Sequence, residues 1–173
     1  MIDLRDEGGY SLLEMIITIG LIAIAIGMST FGLNAVFNSN VNSYANSLAS
    51  ELRIASSREM AVFDKSYTVE LDYDTTENRY VAISYVKPLS ASESELSRIK
   101  FPKGMTISKG GQSLEYLINN SLILEGERKF QFDPSSGALI SAAAGTYQLS
   151  SVSSSITRDI VVVEVNGRVY VDE

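Results

Sequence analysis

The feature that most constrains this chain is a long uncharged segment near its N-terminus. No Asp, Glu, Lys or Arg occurs between Glu14 and Glu51, although 20% of the 173 residues are charged. The part from Met15 to Met28 is apolar except for Thr18. With its apolar neighbours this part reaches the roughly 20 residues that a helix needs to cross a bilayer, and soluble helices are seldom apolar on every face. The segment therefore predicts a transmembrane helix.

The helical pattern continues beyond the apolar segment. From Phe37 to Ala55, large or apolar side chains recur at steps of three and four, with Asn and Ser between them. This periodicity predicts one helix that runs from near Ser11 to about Arg58 or Met60, with an amphipathic second half. The repeating positions are Phe37, Val41, Tyr44, Leu48, Leu52 and Ala55.

After the helix the pattern becomes that of β-strands. Ser66–Tyr73 and Arg79–Val86 flank the turn sequence DTTEN and predict a hairpin. Near the C-terminus, Asp159–Val165 and Arg168–Val171 flank Asn166-Gly167, which predicts a hairpin with a type I′ turn because this dipeptide accepts positive φ angles. Shorter strands are predicted at Met105–Ile107, Leu122–Leu124, Lys129–Phe132, Ala138–Ile140 and Thr146–Leu149.

These patterns together predict an α+β fold. A long N-terminal helix, transmembrane in its first half, would pack on a C-terminal antiparallel β-sheet domain. Leu89–Leu96 could be a polar loop or one helical turn, and its sequence does not decide between them.

The composition excludes several classes of function. The chain has no cysteine and no histidine, which removes thiol nucleophiles, histidine-based triads and the usual zinc ligands. Its formal net charge is −7, so the whole molecule has no positive field to attract nucleic acid. We therefore expect no enzymatic activity, no cofactor, no metal and no nucleic-acid partner.

Small residues precede the apolar segment instead of following it. The sequence GGYSLLE, from Gly8 to Glu14, leads directly into the apolar run. In an ordinary secretory signal the cleavage site follows the apolar stretch, so that the apolar part is discarded. A cut after Gly9 would instead leave the apolar helix at the N-terminus of the mature chain.

The stretch GGYSLLEMIITIGLIAIAIG resembles the N-terminal motif of type IV prepilins and of the pseudopilins of type II secretion and DNA-uptake systems. The resemblance implies that a prepilin peptidase cuts after Gly9, that Tyr10 becomes an N-methylated first residue, and that Glu14 aids assembly. The chain departs from the family in two points. Its leader is acidic where family leaders are usually basic, and Tyr10 stands where Phe is common.

The chemistry of Glu14 can be considered independently of the family. A charged carboxylate in the middle of a membrane costs about 2.5 to 3.5 kcal/mol, so it requires a partner. The cleaved amine of Tyr10 in a neighbouring subunit could neutralise it and set the axial register of a filament. The alternative is that Glu14 lies solvated at the level of the lipid headgroups.

The C-terminal half resembles the β-domain ending of H-type minor pseudopilins and their FimT-like relatives. The similar segments are Phe130–Gly137, Arg158–Val162 and Asn166–Val169. The resemblance implies a pilin fold and a minor structural subunit of a type IV pilus or type II secretion pseudopilus. It divides the chain into a leader peptide (1–9), a transmembrane and filament-core helix (10–37), its amphipathic continuation (38–62) and a globular antiparallel β-domain (63–173).

The resemblance also implies a location and partners. The precursor would lie in the cytoplasmic membrane with its β-domain outside, and would then enter an extracellular or cell-envelope filament. Expected partners are the prepilin peptidase, other pilin or pseudopilin subunits, the membrane assembly platform and, before assembly, membrane lipid. Two alternatives stay open: a DNA-uptake pseudopilin that contacts DNA, and a single-span membrane-anchored β-domain protein whose chain still begins at Met1.

Three further groups of residues could carry chemistry, but each also has a structural interpretation. Carboxylates near the first predicted turn could bind calcium or could form a solvated turn. Lysines near Phe101 could contact DNA phosphates, or they could be separate surface residues that share no ligand. The serine-rich stretch 150–155 is typical of a loop, since no base is available to activate a hydroxyl. The carboxylates are Asp72, Asp74 and Glu77, and the lysines are Lys100, Lys103 and Lys109.

Overall fold

The structure is a computed structural model that describes residues 12–154 and 156–172. Within the first helix it describes the side chains of residues 12–24, 26, 36 and 38–61. The described residues form an α+β structure. In chain order its elements are α1 (Leu12–Ala61), β1 (Lys65–Asp74), β2 (Arg79–Pro88), β3 (Ser94–Lys100), β4 (Met105–Lys109), β5 (Gln112–Ser113), α2 (Leu114–Asn119), a 3-10 turn (Glu125–Glu127), β6 (Lys129–Gln131), β7 (Gly145–Ser151), β8 (Arg158–Val162) and β9 (Val169–Asp172).

The chain divides into two compact units, with the boundary between Val36 and Phe37. The described part of the first unit is helical. The second unit contains the rest of α1, all nine strands listed above and α2, and it has its own hydrophobic core.

Within the second unit, α1 buries one apolar face. The predicted positions Val41, Leu48, Leu52 and Ala55 are confirmed, since all four are buried. Tyr44 is half-buried, and its ring centroid lies 5.5 Å from that of Phe101. Spacings of three and four place these side chains on one side of the helix, so the amphipathic pattern follows directly from the helical period.

The strands form two antiparallel sheets. The first sheet has the order β3-β2-β1-β6, and the second has the order β5-β4-β7-β8-β9. The hairpin of β1 and β2 pairs every residue from Lys65 opposite Pro88 to Asp74 opposite Arg79, which confirms the first predicted hairpin. One cluster of buried apolar residues joins the buried face of α1 with both sheets.

The prediction of a pilin fold with a transmembrane first half is wrong. No helix in the part of the chain that the structure describes is long and apolar enough to cross a membrane. Where its side chains are described, α1 has Glu14 and Thr18 near its start and frequent Asn and Ser from residue 38 onward, so these parts do not supply the roughly 20 apolar residues that a transmembrane helix needs.

Several strand predictions also need correction. The sequence pattern did not predict β3, because its charged sequence SELSRIK does not alternate cleanly. Five of its seven residues are exposed, on an edge strand. Leu122–Leu124 is not a strand but the connection that precedes the 3-10 turn. Ala138–Ile140 contributes only an isolated bridge between Leu139 and Phe132. Whether such a segment pairs depends on distant strands that local sequence does not specify.

The predicted pairing of the C-terminal hairpin is confirmed, since β8 pairs with β9. The predicted type I′ turn is wrong. A type I′ turn needs positive φ at both central residues, and of this pair only Gly167 has a positive φ, at +59°. The strands instead end earlier, and residues 163–168 form a longer connection closed by a bond from the Val163 N–H to the Arg168 oxygen at 2.9 Å. The oxygen of Glu164 accepts the N–H of Leu139 at 3.0 Å, which holds this connection against another loop.

Candidate assembly surface

The described start of α1 is an apolar surface that no other described residue of its unit covers. Its large apolar side chains are between 53% and 80% exposed from residue 12 to residue 26, on all sides of the helix. We call this the α1 apolar surface. Its members are Leu12, Leu13, Met15, Ile16, Ile17, Ile19, Leu21, Ile22, Ile24 and Ile26.

Only two side chains between residues 12 and 24 are polar, and they lie one turn apart. Glu14 lies in the first turn of α1 and is exposed, where the positive end of the helix dipole stabilises a carboxylate. Thr18 is four residues further on, which is the spacing of neighbours on one helix face. Its hydroxyl donates to the Met15 oxygen at 2.9 Å, so this group is satisfied within the helix. Glu14 is thus the one ionisable side chain of residues 12–24, and it lies among the members of the α1 apolar surface.

Two of the predicted site residues cannot be placed beside Glu14. Gly9 and Tyr10, where cleavage and N-methylation are predicted, lie outside the described residues. Both predictions therefore stay predictions.

The predicted acidic group is divided among separate ion pairs and turn bonds. Asp72 lies 3.1 Å from Arg128, and Glu77 lies 2.6 Å from Lys100. Asp74 accepts two main-chain N–H groups of its turn, at 2.9 and 3.0 Å, and these bonds lower the pKa of its carboxyl. Among the described residues no group of three or more Asp and Glu side chains is arranged to hold a metal ion.

The three lysines near Phe101 do not act together. Lys100 pairs with Glu77, whereas the Lys109 ammonium donates to the Glu127 oxygen at 2.9 Å and lies 5.0 Å from the centre of the Tyr147 ring. Burial lowers the pKa of Lys109. Lys103 is exposed.

The serine-rich stretch has a structural role where it is described. Ser150 and Ser151 belong to β7, and the Ser154 hydroxyl donates to the Asn38 side-chain oxygen at 2.6 Å. Ser155 lies outside the described residues. This stretch connects β7 to β8 and ties that connection to α1.

Two segments that support the resemblance to minor pseudopilins form one packed corner. In the first, the Asp133 carboxylate accepts the hydroxyl and N–H groups of Ser135 and Ser136 at 2.5 to 2.9 Å, which lowers its pKa to about 2. In the second, Gly167 is buried directly against Gly137. Sequence reasoning noted both segments but could not show that they touch, because 30 residues and two strands separate them along the chain.

This corner also contacts α1. Gly137 has a φ of +70°, and a Cβ at this position would lie 2.8 Å from the Met60 sulfur. The Ser56 hydroxyl lies 3.5 Å from the Gly137 oxygen. The two motifs therefore have a structural explanation, namely anchoring the loops of both sheets on the last turns of α1.

Comparison with known proteins identifies no relative: no family model, no curated protein and no solved structure matches the chain. The interpretation of the α1 apolar surface therefore rests on its own chemistry and on the sequence motif that precedes it.

Proposed function

We propose that this chain is a minor structural subunit of a filament of the type IV pilus or type II secretion pseudopilus kind. In this proposal a prepilin peptidase removes the leader after Gly9 and methylates Tyr10. The mature chain then assembles through the α1 apolar surface. No catalytic activity is part of the proposal.

The observation that carries the proposal is the contrast between two groups of apolar side chains. The described residues of the second unit bury a core of their own, with 23 apolar residues in one cluster. Each side chain of the α1 apolar surface, in contrast, is more than half exposed. Side chains of this kind need an apolar environment, which lipid or similar helices can supply, and association of helices that start in lipid depends on close packing more than on hydrophobic transfer. A contiguous exposed apolar surface of this kind is typical of an interaction site.

Glu14 gives the proposed assembly its specificity. A carboxylate that enters an apolar interface is costly unless a cation neutralises it. In the proposal its partner is the N-terminal amine of Tyr10 on a neighbouring subunit. Because only one offset between helices brings these two groups together, the pair would set the axial register of the filament.

The location and partners stay predictions. They comprise the cytoplasmic membrane and its lipid before assembly, the extracellular or cell-envelope filament afterwards, and as protein partners the prepilin peptidase, other pilin or pseudopilin subunits and the assembly platform. Contact with DNA has less support, since Lys100 and Lys109 are both engaged within the chain.

The test is intact mass and N-terminal sequencing of the protein isolated from its native host. We expect a chain that begins at Tyr10 and is heavier by one methyl group than the unmodified sequence from that residue. Replacing Gly9 by Leu should leave the leader in place, because a bulky side chain would occupy the cleavage site. A wild-type chain that still begins at Met1 in cells with an active prepilin peptidase would refute the proposal.

A second variant separates processing from assembly. Glu14→Ala should still be cleaved and methylated but should be depleted from sheared filaments. Thr18→Val is the matched control, since it removes a polar group from the same helix face without removing charge. Glu14→Ala that enters filaments as well as Thr18→Val does would show that the carboxylate has no role in assembly.

A further inference from the structure

The dipeptide Asn166-Gly167 lies in the β8–β9 connection, at the packed corner that this connection forms with the turn carrying Gly137. Asn followed by Gly is especially prone to spontaneous deamidation, because glycine has no side chain to hinder attack by its main-chain nitrogen. Asn166 is exposed, whereas Gly167 is buried. The two residues of one reactive pair therefore have very different surroundings.

The reaction requires no reagent besides water. The main-chain nitrogen of Gly167 gives up its proton to hydroxide and attacks Cγ of Asn166, so that a new C–N bond forms. The bond from Cγ to Nδ2 then breaks, and Nδ2 takes up a proton from water and leaves as ammonia. Water opens the resulting cyclic imide: breaking the new bond gives aspartate, and breaking the original peptide bond gives isoaspartate, whose main chain contains an additional methylene.

Three features of the closed corner oppose formation of this ring. The Asn166 Oδ1 accepts the Arg168 N–H at 3.0 Å, which ties the side-chain carbonyl to the residue beyond the attacking nitrogen. Gly167 is buried, so its N–H is shielded from hydroxide. A Cβ at residue 167 would collide with the Gly137 oxygen, so the main chain has little room to rotate toward Cγ.

Hydrogen bonds on both sides of the corner hold it closed. The Leu139 N–H donates to the Glu164 oxygen at 3.0 Å and fixes the β8–β9 connection. The Gly137 N–H donates to the main-chain oxygen of Asp133 at 2.8 Å, and the Asp133 carboxylate accepts further bonds within the same turn. Formation of the imide therefore requires the two loops to separate.

We infer that Asn166 is a modification site that the closed corner keeps inactive, and that it deamidates when the corner opens. Local opening costs less free energy than global unfolding, so it recurs in the native protein. The inference does not depend on the proposed filament.

The two products differ in their effect on the corner. Isoaspartate prevents the corner from closing again, because its additional methylene displaces Gly167 from a contact that has no room for another atom. Aspartate allows closure, since its carboxylate oxygen accepts the same N–H of Arg168. Formation of isoaspartate therefore makes the opening permanent.

The experiment incubates the full chain in a neutral detergent at mildly alkaline pH, with and without guanidinium chloride. Peptide mapping by mass spectrometry follows conversion of the Asn166 amide to a carboxyl group, and an isoaspartyl methyltransferase labels the isoaspartate fraction. The folded chain should react at least about tenfold more slowly than the denatured chain. Asn120 is the internal control for the denatured reaction, because the side chain of Ser121 should slow attack on it in the same sample.

A pair of variants tests whether the corner controls the reaction. Asp133→Ala loosens the turn that carries Gly137 and should speed deamidation of the folded chain by about fivefold or more. Gly111→Ala strains another residue of positive φ, outside the corner, and should leave the rate within about twofold of the wild type. Circular dichroism checks that both variants are folded.

The modified protein tests the consequence of the reaction. Asn166→Asp, which reproduces the aspartate product, should unfold at nearly the same denaturant concentration as the wild type. The isoaspartate form, separated chromatographically from the incubated protein, should unfold at a lower concentration.

Three results would overturn the inference. The first is a folded chain whose Asn166 reacts as fast as in the denatured chain, or a denatured chain whose Asn166 reacts no faster than Asn120. The second is equal rates for folded Asp133→Ala and Gly111→Ala, because the corner would then not control the reaction. The third is an isoaspartate form as stable as Asn166→Asp, which would show that the modified corner still closes.

Discussion

A Cβ atom at residue 167 would lie 1.9 Å from the main-chain oxygen of Gly137. Real Cβ atoms do not approach an oxygen this closely, so the contact admits only glycine at this position. It joins the β8–β9 connection to the turn that follows Phe132, whose ring would lie 3.3 Å from the same Cβ. Two loops from different sheets are thereby held together through their backbones.

We predict that Gly167→Ala destabilises the protein by about 2–4 kcal/mol, because the added methyl group forces the two loops apart and strains a residue with positive φ. Urea unfolding followed by circular dichroism measures the change. Gly111→Ala is the control, since its φ of +81° is also positive but a Cβ there meets nothing within 4 Å. It should cost only about 1 kcal/mol. Equal losses for the two variants would mean that the Gly137 contact is unimportant.

A second prediction concerns the carboxylate that connects α1 to the first sheet. Glu51 accepts the hydroxyl of Ser84 at 2.5 Å and that of Ser97 at 2.7 Å. Glu51→Ala should destabilise the fold by about 1–3 kcal/mol, since Ser84 is buried and both hydroxyls lose their acceptor.

Glu51→Gln should recover part of this loss because its amide oxygen can accept the same bonds. Ser47→Ala serves as a control on the exposed side of α1, where the hydroxyl donates only to the Ser43 oxygen, and it should change the unfolding free energy by no more than about 0.5 kcal/mol. The prediction fails if Glu51→Ala unfolds at the same urea concentration as Ser47→Ala.

A third prediction concerns pH. The bonds from Ser135 and Ser136 lower the pKa of Asp133 to about 2, below its ordinary value of 3.8. A carboxyl with a lowered folded-state pKa contributes stability above its unfolded pKa, and that contribution is lost as the pH falls. The advantage of the wild type over Asp133→Asn should therefore be constant above about pH 5 and should disappear between about pH 4 and pH 2.

The pKa itself can be measured by carboxyl NMR. Ser135→Ala removes the bond that contributes most to the shift, so it should raise the pKa of Asp133 toward its ordinary value. A wild-type Asp133 that titrates near 4 would contradict the assignment.

A fourth prediction concerns the neighbours of Glu70. Its pKa is raised by burial, and this effect exceeds the opposing one of Arg128, to which it is hydrogen bonded. Nearby Asp72 raises it further. Arg128→Met should therefore raise the pKa of Glu70, and Asp72→Asn should lower it. Carboxyl NMR titration of the two variants checks both directions, and shifts of the same sign would contradict this account.

Local sequence was sufficient for those features whose cause is local. The period of three to four residues identified Val41, Leu48 and Leu52 as the buried face of α1, because helix geometry alone brings such positions to one side. The alternation on both sides of DTTEN identified the β1–β2 hairpin, since a short turn brings adjacent strands together. For the candidate site, the sequence identified the apolar segment and Glu14, whereas Gly9 and Tyr10 lie outside the described residues.

Features that arise between distant segments were decided only by the tertiary structure. The division into two sheets and the edge position of β3 follow from strand order, which no local pattern encodes. The Asn166-Gly167 turn shows the physical reason most clearly. By itself this dipeptide favours a tight type I′ turn, but the bond from Leu139 to Glu164 and the contact of Gly167 with Gly137 draw the connection into a longer loop. The sequence alone determined that the chain reverses direction there, and packing against a loop 30 residues away decided its shape.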